Sequence, residues 1–494
     1  MIVLVCAAAA YSQAPPALTA PLPLDADIRT GTLPNGLTYF IRNNPRPEDR
    51  LMLRLAVKAG SIDEADDQQG LAHVLEHMAF NGTARFKPGE LVSYLESIGA
   101  QFGPHVNAYT SFDETVYMLD VPTDREGVVT RGFEALSDFA GGITLDTAEI
   151  DRERGVVLEE WRGRLGAGTR LQQPQLDALF GDSRYADRVP IGTPEILKGF
   201  PPDRLRAFYR DHYRPDRMAV IVVGDLDVAE AEALVRKYFG PIPAAAPAER
   251  PVYGIPDHED TRYVTLSDPE LQSSSVTVMH KRPLRELRTI GDYRRSLVQG
   301  LAYQMLNARF AEIARQPEAP FLGASAGDDT LGRTVEAFAV SARVRDGGMT
   351  RGLEALAQEL ARVEQHGFGE AELDRARRST LARYERSFNE RDKVESGPLA
   401  AELIRHFLTN EAAPGIEVEV DLVRRLLPTI TAAETAAIMR EMVTDGNRVV
   451  LATAPARAGL ALATEEELRT ALAAGVAAKV EPWRDEVAGR ELLA

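Results

Sequence analysis

The chain has 494 residues, with 57 Lys+Arg against 74 Asp+Glu and a formal net charge of −17. At about 100–200 residues per domain, that length predicts between about two and four domains, and the acidic balance argues against a nucleic-acid binder, whose phosphate affinity needs clustered Lys and Arg. A hydrophobic content of 44%, a charged content of 27% and a single cysteine, Cys6, are those of a folded, soluble protein and exclude low-complexity and disulfide-scaffold classes.

In chain order, the apolar run Met1–Ala10 is far shorter than the roughly 20 residues a bilayer span needs. Followed by Ser12-Gln13-Ala14 and Pro15-Pro16, it reads as a secretory leader with a cleavage site, and residues 1–25 are assigned to leader and tail. No later segment is long and apolar enough to predict a transmembrane helix. Leu37–Ile41 and Thr115–Leu119 are predicted strands. Leu51–Lys58 alternates with Leu51, Leu53, Leu55 and Val57 on one face, the pattern of a half-buried strand. Helical periodicity covers 88–98, 127–140, 351–364 and 370–388. The Gly224-Asp225 that ends the Met218–Val223 strand has no G-x-G-x-x-G after it, so a dinucleotide site is rejected.

The Pro/Ala-rich stretch Pro241–Pro251 reads as an extended linker. The segments before and after it end alike. Helix 205–212 precedes strand Met218–Val223, as helix Ala433–Met442 precedes strand Arg448–Ala452, with Arg217 and Arg448 separated by 231 residues. This predicts a duplication, with domains at 26–240 and 258–494 joined by a linker at 241–257. Strands cluster between helices without a regular βαβ alternation. The fold class is α+β: two homologous domains, each an antiparallel sheet covered by helices.

The chemistry concentrates in Leu71–Phe80, where His73-Val-Leu-Glu76-His77 lies between Gly70 and Asn81-Gly82. On a helix His73 and His77 stand one turn apart on one face, a spacing that grips one zinc ion, with Glu76 beside it as a general base. With 8 His in the chain, roughly 0.02 such H-x-x-E-H matches are expected by chance. A zinc hydrolase needs a third protein ligand. The helix starting near Asp146 or Thr147 offers Glu153 and Glu160, seven residues apart beside an apolar stripe of Ile150, Val157 and Trp161. Glu160 is the better ligand, Glu153 an auxiliary acid, and Glu159 faces solvent. The bland alternative has both carboxylates solvated or paired with Arg152 or Arg154.

Gly70–Thr83, Gly99–Tyr117, Glu149–Arg162 and Phe208–Asp225 carry a resemblance to the pitrilysin/insulysin family of inverzincin metallopeptidases. Val106-Asn-Ala-Tyr-Thr-Ser-Phe-Asp-Glu-Thr-Val-Tyr117 and Gly155-Val-Val-Leu-Glu-Glu-Trp161 look like its bacterial periplasmic branch. The resemblance implies a pitrilysin-like fold, one zinc per chain on His73, His77 and Glu160, and Glu76 as general base, with Glu153 assisting. It implies that Asn107 hydrogen-bonds the backbone of a peptide substrate, and that the second domain is inactive. Together with the leader it implies a periplasmic or secreted protein. The family also uses an Arg and a Tyr seven residues apart in its zinc-free half. Here Arg315 is followed at that distance by Leu322, so this chain resembles the zinc-bearing half, and a second half or subunit would supply the pair.

The expected activity is metal-dependent endopeptidase cleavage of peptides or unfolded polypeptides. The alternatives are a non-catalytic scaffold or processing-partner subunit of the same fold, and a zinc hydrolase of small molecules. His105, near Asn107, and His212, at a helix end, are read as structural. His258, His280, His366 and His406 have no companions at ligand spacing.

Overall fold

The structure, a computed structural model, describes residues 16–246 and 248–485, so Cys6 and the proposed cleavage site lie outside it. Two sheets form. The first holds β1 (Arg29–Thr32), β2 (Thr38–Asn43), β3 (Arg50–Val57), β4 (Val106–Thr110), β5 (Thr115–Pro122) and β6 (Met218–Gly224), in the order β1-β2-β6-β3-β5-β4. The second holds β7 (Arg262–Asp268), β8 (Ser274–Pro283), β9 (Gly323–Thr330), β10 (Val335–Val344) and β11 (Arg448–Pro455), in the order β7-β11-β8-β10-β9. Leaving β1 aside, the two orders are the same. Pairing is antiparallel except for one parallel pair in each sheet, β2 with β6 and β7 with β11. The expectation of antiparallel sheets thus holds for all but the pairs formed when the last strand of each unit returns beside β2 or β7. The repeat distance is also one residue shorter than the arginine pairing predicts. Met218 at the start of β6 corresponds to Arg448 at the start of β11, a shift of 230 residues.

Each sheet packs one face on its own helices, giving two cores. Leu51, Leu53, Leu55 and Val57 point into the first core, all 0% exposed. Helix Met349–His366 and the long helix Ile290–Ala314 build the second. Strand β3 is not half-buried, however. Its other face is covered by helix Ser396–Thr409 from the second half of the chain. There Ala400, Leu403, Ile404 and Leu408 pack on Phe40, Ala56, Val116, Ile221 and Val223. A helix also crosses in the opposite sense. Ala167–Phe180, from the first half, lies against β7, where Arg170 pairs with Asp268 at 2.6 Å and the Ala178 carbonyl accepts from Arg262 at 2.9 Å. The two units are therefore interlocked by reciprocal helices.

Two segments read as loose are tied into the fold. The Pro-rich stretch is pinned by Arg250, which grips Asp63 at 2.7 and 3.0 Å, and by Ile255, buried with Ile62, Phe180 and Tyr185. Residues 18–25, assigned to the tail, run along the second unit. Backbone N–H groups of Ile290 and Gly291 donate to Ala20 and Leu18, and Leu22 packs on the second core. No helix among the described residues is long and apolar enough to cross a membrane.

Leu403→Ala empties a site that is 1% exposed between the crossing helix and the first sheet. It should lower stability by about 2–5 kcal/mol in urea unfolding.

Candidate metal centre

The site is built on helix Leu71–Met78, of whose eight residues only His77 is not buried. Gly70 opens it at φ 98°, and its Cα lies so near Gly192 (φ 72°) that a Cβ on Gly192 would stand 2.4 Å away. Both positions need positive φ and no side chain. The first turn is capped by Glu64, 0% exposed, whose carboxylate accepts from Gly70 N at 3.0 Å and Ala72 N at 2.8 Å. Burial pushes this carboxyl up to about 8, against those hydrogen bonds and the Arg188 charge.

Helix Thr147–Gly163 is capped by Asp146, which accepts from the N–H groups of Ala148 and Glu149. It packs through Ile150 and Val157, both 0% exposed, while Trp161 is only half-buried and Glu159 is exposed. This packing brings Glu153 and Glu160 over the histidines. His73 Nε2 lies 3.6 Å and His77 Nε2 3.4 Å from Glu160 Oε2. The His73, His77 and Glu160 ligand atoms all fall within 4.8 Å of one another. Tetrahedral zinc with bonds of about 2.0–2.1 Å holds neighbouring donors about 3.4 Å apart, so this donor set fits the ion. The other Glu160 oxygen pairs with Arg164, leaving Oε2 toward the histidines. Neither Arg152 nor Arg154 takes Glu153 or Glu160; they pair with Glu149 and Asp151.

Glu153 holds His77 from behind. Its Oε1 lies 2.8 Å from His77 Nδ1 and its Oε2 accepts from Asn81 Nδ2. A carboxylate can only accept here, so the proton sits on Nδ1 and the Nε2 lone pair is free for a metal. Burial works to lower the His77 pKa, but the hydrogen bond and charge of Glu153, with Glu76 and Glu160, raise it overall. His73 is pushed down to about 4 by burial and by the His77 charge, which keeps it neutral, the form that ligates. Burial raises the Glu76 carboxyl, partly opposed by Thr110, whose hydroxyl donates to Oε2 at 2.6 Å.

These groups line a cleft of about 750 Å³ together with Asn107, Tyr109, Phe102 and Val156. Asn107 is exposed on β4, which pairs with β5 at the end of the sheet and is bridged at Val106 by Phe102. The sequence reading missed Thr110, Asn81 and Glu64. Only Asn81, four residues after His77, sits where helical spacing would flag it. His105 stays within its own loop, its Nδ1 accepting from Gln101 N. His212 stacks on Phe208 with ring centroids 4.6 Å apart. Arg315 caps the end of helix Ile290–Ala314, and Leu322 is 44% exposed.

Residues 39–165 match the family described as Insulinase (Peptidase family M16), and residues 199–380 match the Peptidase M16 inactive domain. The chain belongs to the insulinase family. It is 34% identical over 477 residues to a zinc protease PQQL-like of Arabidopsis thaliana, spanning 95% of this chain and 46% of the relative. It is 31% identical over 420 residues to the probable zinc protease PqqL of Escherichia coli, spanning 85% of this chain and 45% of that one. Among solved structures, the first half of the periplasmic protease PqqL from Escherichia coli superposes with a TM-score of 0.89 at 28% identity, covering 94% of this chain and all of that one. Against the longer PqqL structure the TM-score is 0.90 at 29% identity, with 96% of this chain and 52% of that chain covered. The chain thus spans about half the length of the curated relatives it matches. Both relatives are named zinc proteases.

Glu64→Ala would leave the buried Gly70 and Ala72 N–H groups without their acceptor. It should cost about 1–3 kcal/mol of stability in thermal or urea unfolding.

Proposed function

We propose that this chain is the zinc-bearing half of a metalloendopeptidase that cleaves peptides or unfolded polypeptides. The observation that carries the reading is the convergence of His73, His77 and Glu160 donor atoms in a cleft that Glu76 also lines. In this reading residues 26–240 form the zinc-binding peptidase domain and residues 258–494 an inactive companion, with the Pro-rich segment 241–257 between them.

Zinc held by His73, His77 and Glu160 would supply Lewis acidity, polarising the scissile carbonyl and acidifying a water. The protein's own groups do the rest. Glu76 takes the proton of the attacking water and passes it to the leaving amine. Thr110 holds one Glu76 oxygen, so the carboxylate keeps its direction as it gains and loses that proton. Glu153 positions His77 and keeps its tautomer fixed. The outer edge of β4, bridged at Val106 by Phe102, borders the cleft and from Asn107 onward suits an extended peptide, which would add as a further strand with Asn107 bonding its backbone. Electrophilic help for the carbonyl oxygen comes, in this reading, from an Arg and a Tyr on a second half or subunit. The leader reading, together with the likeness to a periplasmic protease, supports a periplasmic or secreted location.

The match of residues 199–380 to an inactive domain favours one second reading, a non-catalytic partner subunit. Metal analysis and turnover separate the two. The peptidase reading expects about one zinc per chain, and a folded chain that takes up no zinc would refute it. Glu76→Gln should keep the zinc and lose about 10²–10⁴-fold in peptide hydrolysis; unchanged turnover would remove Glu76 from the chemistry. Glu153→Ala should weaken zinc binding about 10–100-fold in chelator competition while leaving circular dichroism unchanged. Adding the separately expressed second half should raise activity sharply, whereas full activity of this chain alone would overturn the half-enzyme proposal.

A further inference from the structure

Glu160 is the one carboxylate among the three candidate donors, and a carboxylate can offer a metal either one oxygen or both. A catalytic zinc site keeps a position open for water or substrate, so a third ligand that spent both oxygens would crowd it. What holds the second oxygen of Glu160 therefore matters. Helix Thr147–Gly163 ends in two arginine–glutamate pairs. Arg162 takes Glu159, and both of those side chains are more than half exposed. Arg164 takes Glu160 Oε1, and both of these line the cleft. The other oxygen, Oε2, is left 3.6 Å and 3.4 Å from the Nε2 atoms of His73 and His77. An exposed ion pair one helical turn apart adds little to stability. Its consequence here is the direction it gives the carboxylate.

The backbone of Arg164 is fixed on both sides. Its N–H donates to the Glu160 carbonyl at 3.0 Å, and its own carbonyl accepts from Gly166 N–H at 2.7 Å and from the Thr169 hydroxyl. The turn that follows is gripped from the second unit. Arg170 Nη1 donates to the Leu165 carbonyl at 2.9 Å. The same guanidinium forks onto Asp268 at 2.6 and 2.8 Å and reaches Glu270 at 2.9 Å. Asp268 is buried, and Glu270 also accepts from Ala167 N–H at 3.0 Å. Arginine forked on a carboxylate is among the stronger and more directional polar contacts. A continuous set of contacts thus runs from the end of β7 to the third candidate ligand.

Building on the zinc reading of His73, His77 and Glu160, we propose that Arg164 is a positioning residue that holds Glu160 to a single donor oxygen. The second unit, through Arg170, fixes the turn from which Arg164 reaches it. The half of the chain that matches an inactive domain thereby has a part in shaping the metal site.

The test is to load the intact chain with cobalt(II) in place of zinc and record its visible bands, which weaken as coordination rises above four. Wild type should take up about one cobalt per chain and show the strong bands of a four-coordinate ion. In Arg164→Met the freed carboxylate can offer both oxygens, and the bands should lose intensity at full cobalt occupancy. Arg164→Lys, which keeps a cation in place, should restore them. Arg170→Gln should weaken them in the same direction and to a smaller extent. Both arginines are exposed, so circular dichroism should not change in any of the three, and a merely structural ion pair would leave the cobalt bands as they are. A folded Arg164→Met with the wild-type spectrum would overturn the proposal. So would an unchanged spectrum with a raised KM for peptide, which would make Arg164 a substrate contact. An unchanged spectrum in Arg170→Gln would remove the second unit from it. Wild type that is folded and takes up no cobalt would overturn the zinc reading itself, and the role of Arg164 with it.

Discussion

The seat of one two-turn helix governs everything at the candidate metal centre. Eight residues are too few to stay helical in water, because nucleation costs more than so short a ladder returns. Leu71–Met78 is helical because its surroundings leave it no alternative. Gly70 and Gly192 touch backbone to backbone at its start, and the buried Glu64 carboxylate takes its first N–H groups. Together they fix the rotation of the helix about its axis. That rotation turns His73 and His77 toward helix Thr147–Gly163, where Glu160 meets them and Glu153 braces His77.

The same strand order appears twice, yet the two copies have parted in chemistry. In the first unit the helix after the third strand is short and carries ionisable groups into a cleft. In the second, the corresponding helix, Ile290–Ala314, is 25 residues long and buries Leu297, Leu301, Met305 and Phe310 in the core. Divergence runs the other way between helix and sheet, where the first unit is packed with tyrosines and the second leaves a cavity of about 200 Å³ beside Met439 and Val443. A duplicated framework thus leaves each copy free to change wherever the other already meets a requirement.

The candidate metal donors were legible in sequence because helical spacing is local: four residues bring two histidines to one face, and seven bring Glu153 and Glu160 to another. Strands β2, β3, β5, β6 and β11 were legible for the same reason, whereas β7 to β10 and helices Ile290–Ala314 and Ser396–Thr409 were not read. What the sequence hid depends on approach from afar. Thr110 reaches Glu76 across 34 residues, and Glu64 caps a helix it precedes through a turn that shows no periodicity. The parallel pairs escaped because β6 and β11 alternate no differently beside a parallel neighbour than beside an antiparallel one. Strand β3 reads as half-buried because Leu51, Leu53, Leu55 and Val57 alternate along one face, with Arg54 on the other. That side chain is instead paired with Asp120 beneath a helix encoded far downstream.

The crossing of helix Ser396–Thr409 bears on how the protein is made. Strand β6 completes the first sheet at Gly224, and the helix that covers its back begins roughly 170 residues later. At about 5–20 residues per second, a ribosome needs on the order of ten seconds or more to supply it. Throughout that interval the nascent sheet presents Phe40, Ala56, Ile221 and Val223 uncovered, an apolar surface open to holding chaperones and to neighbouring nascent chains.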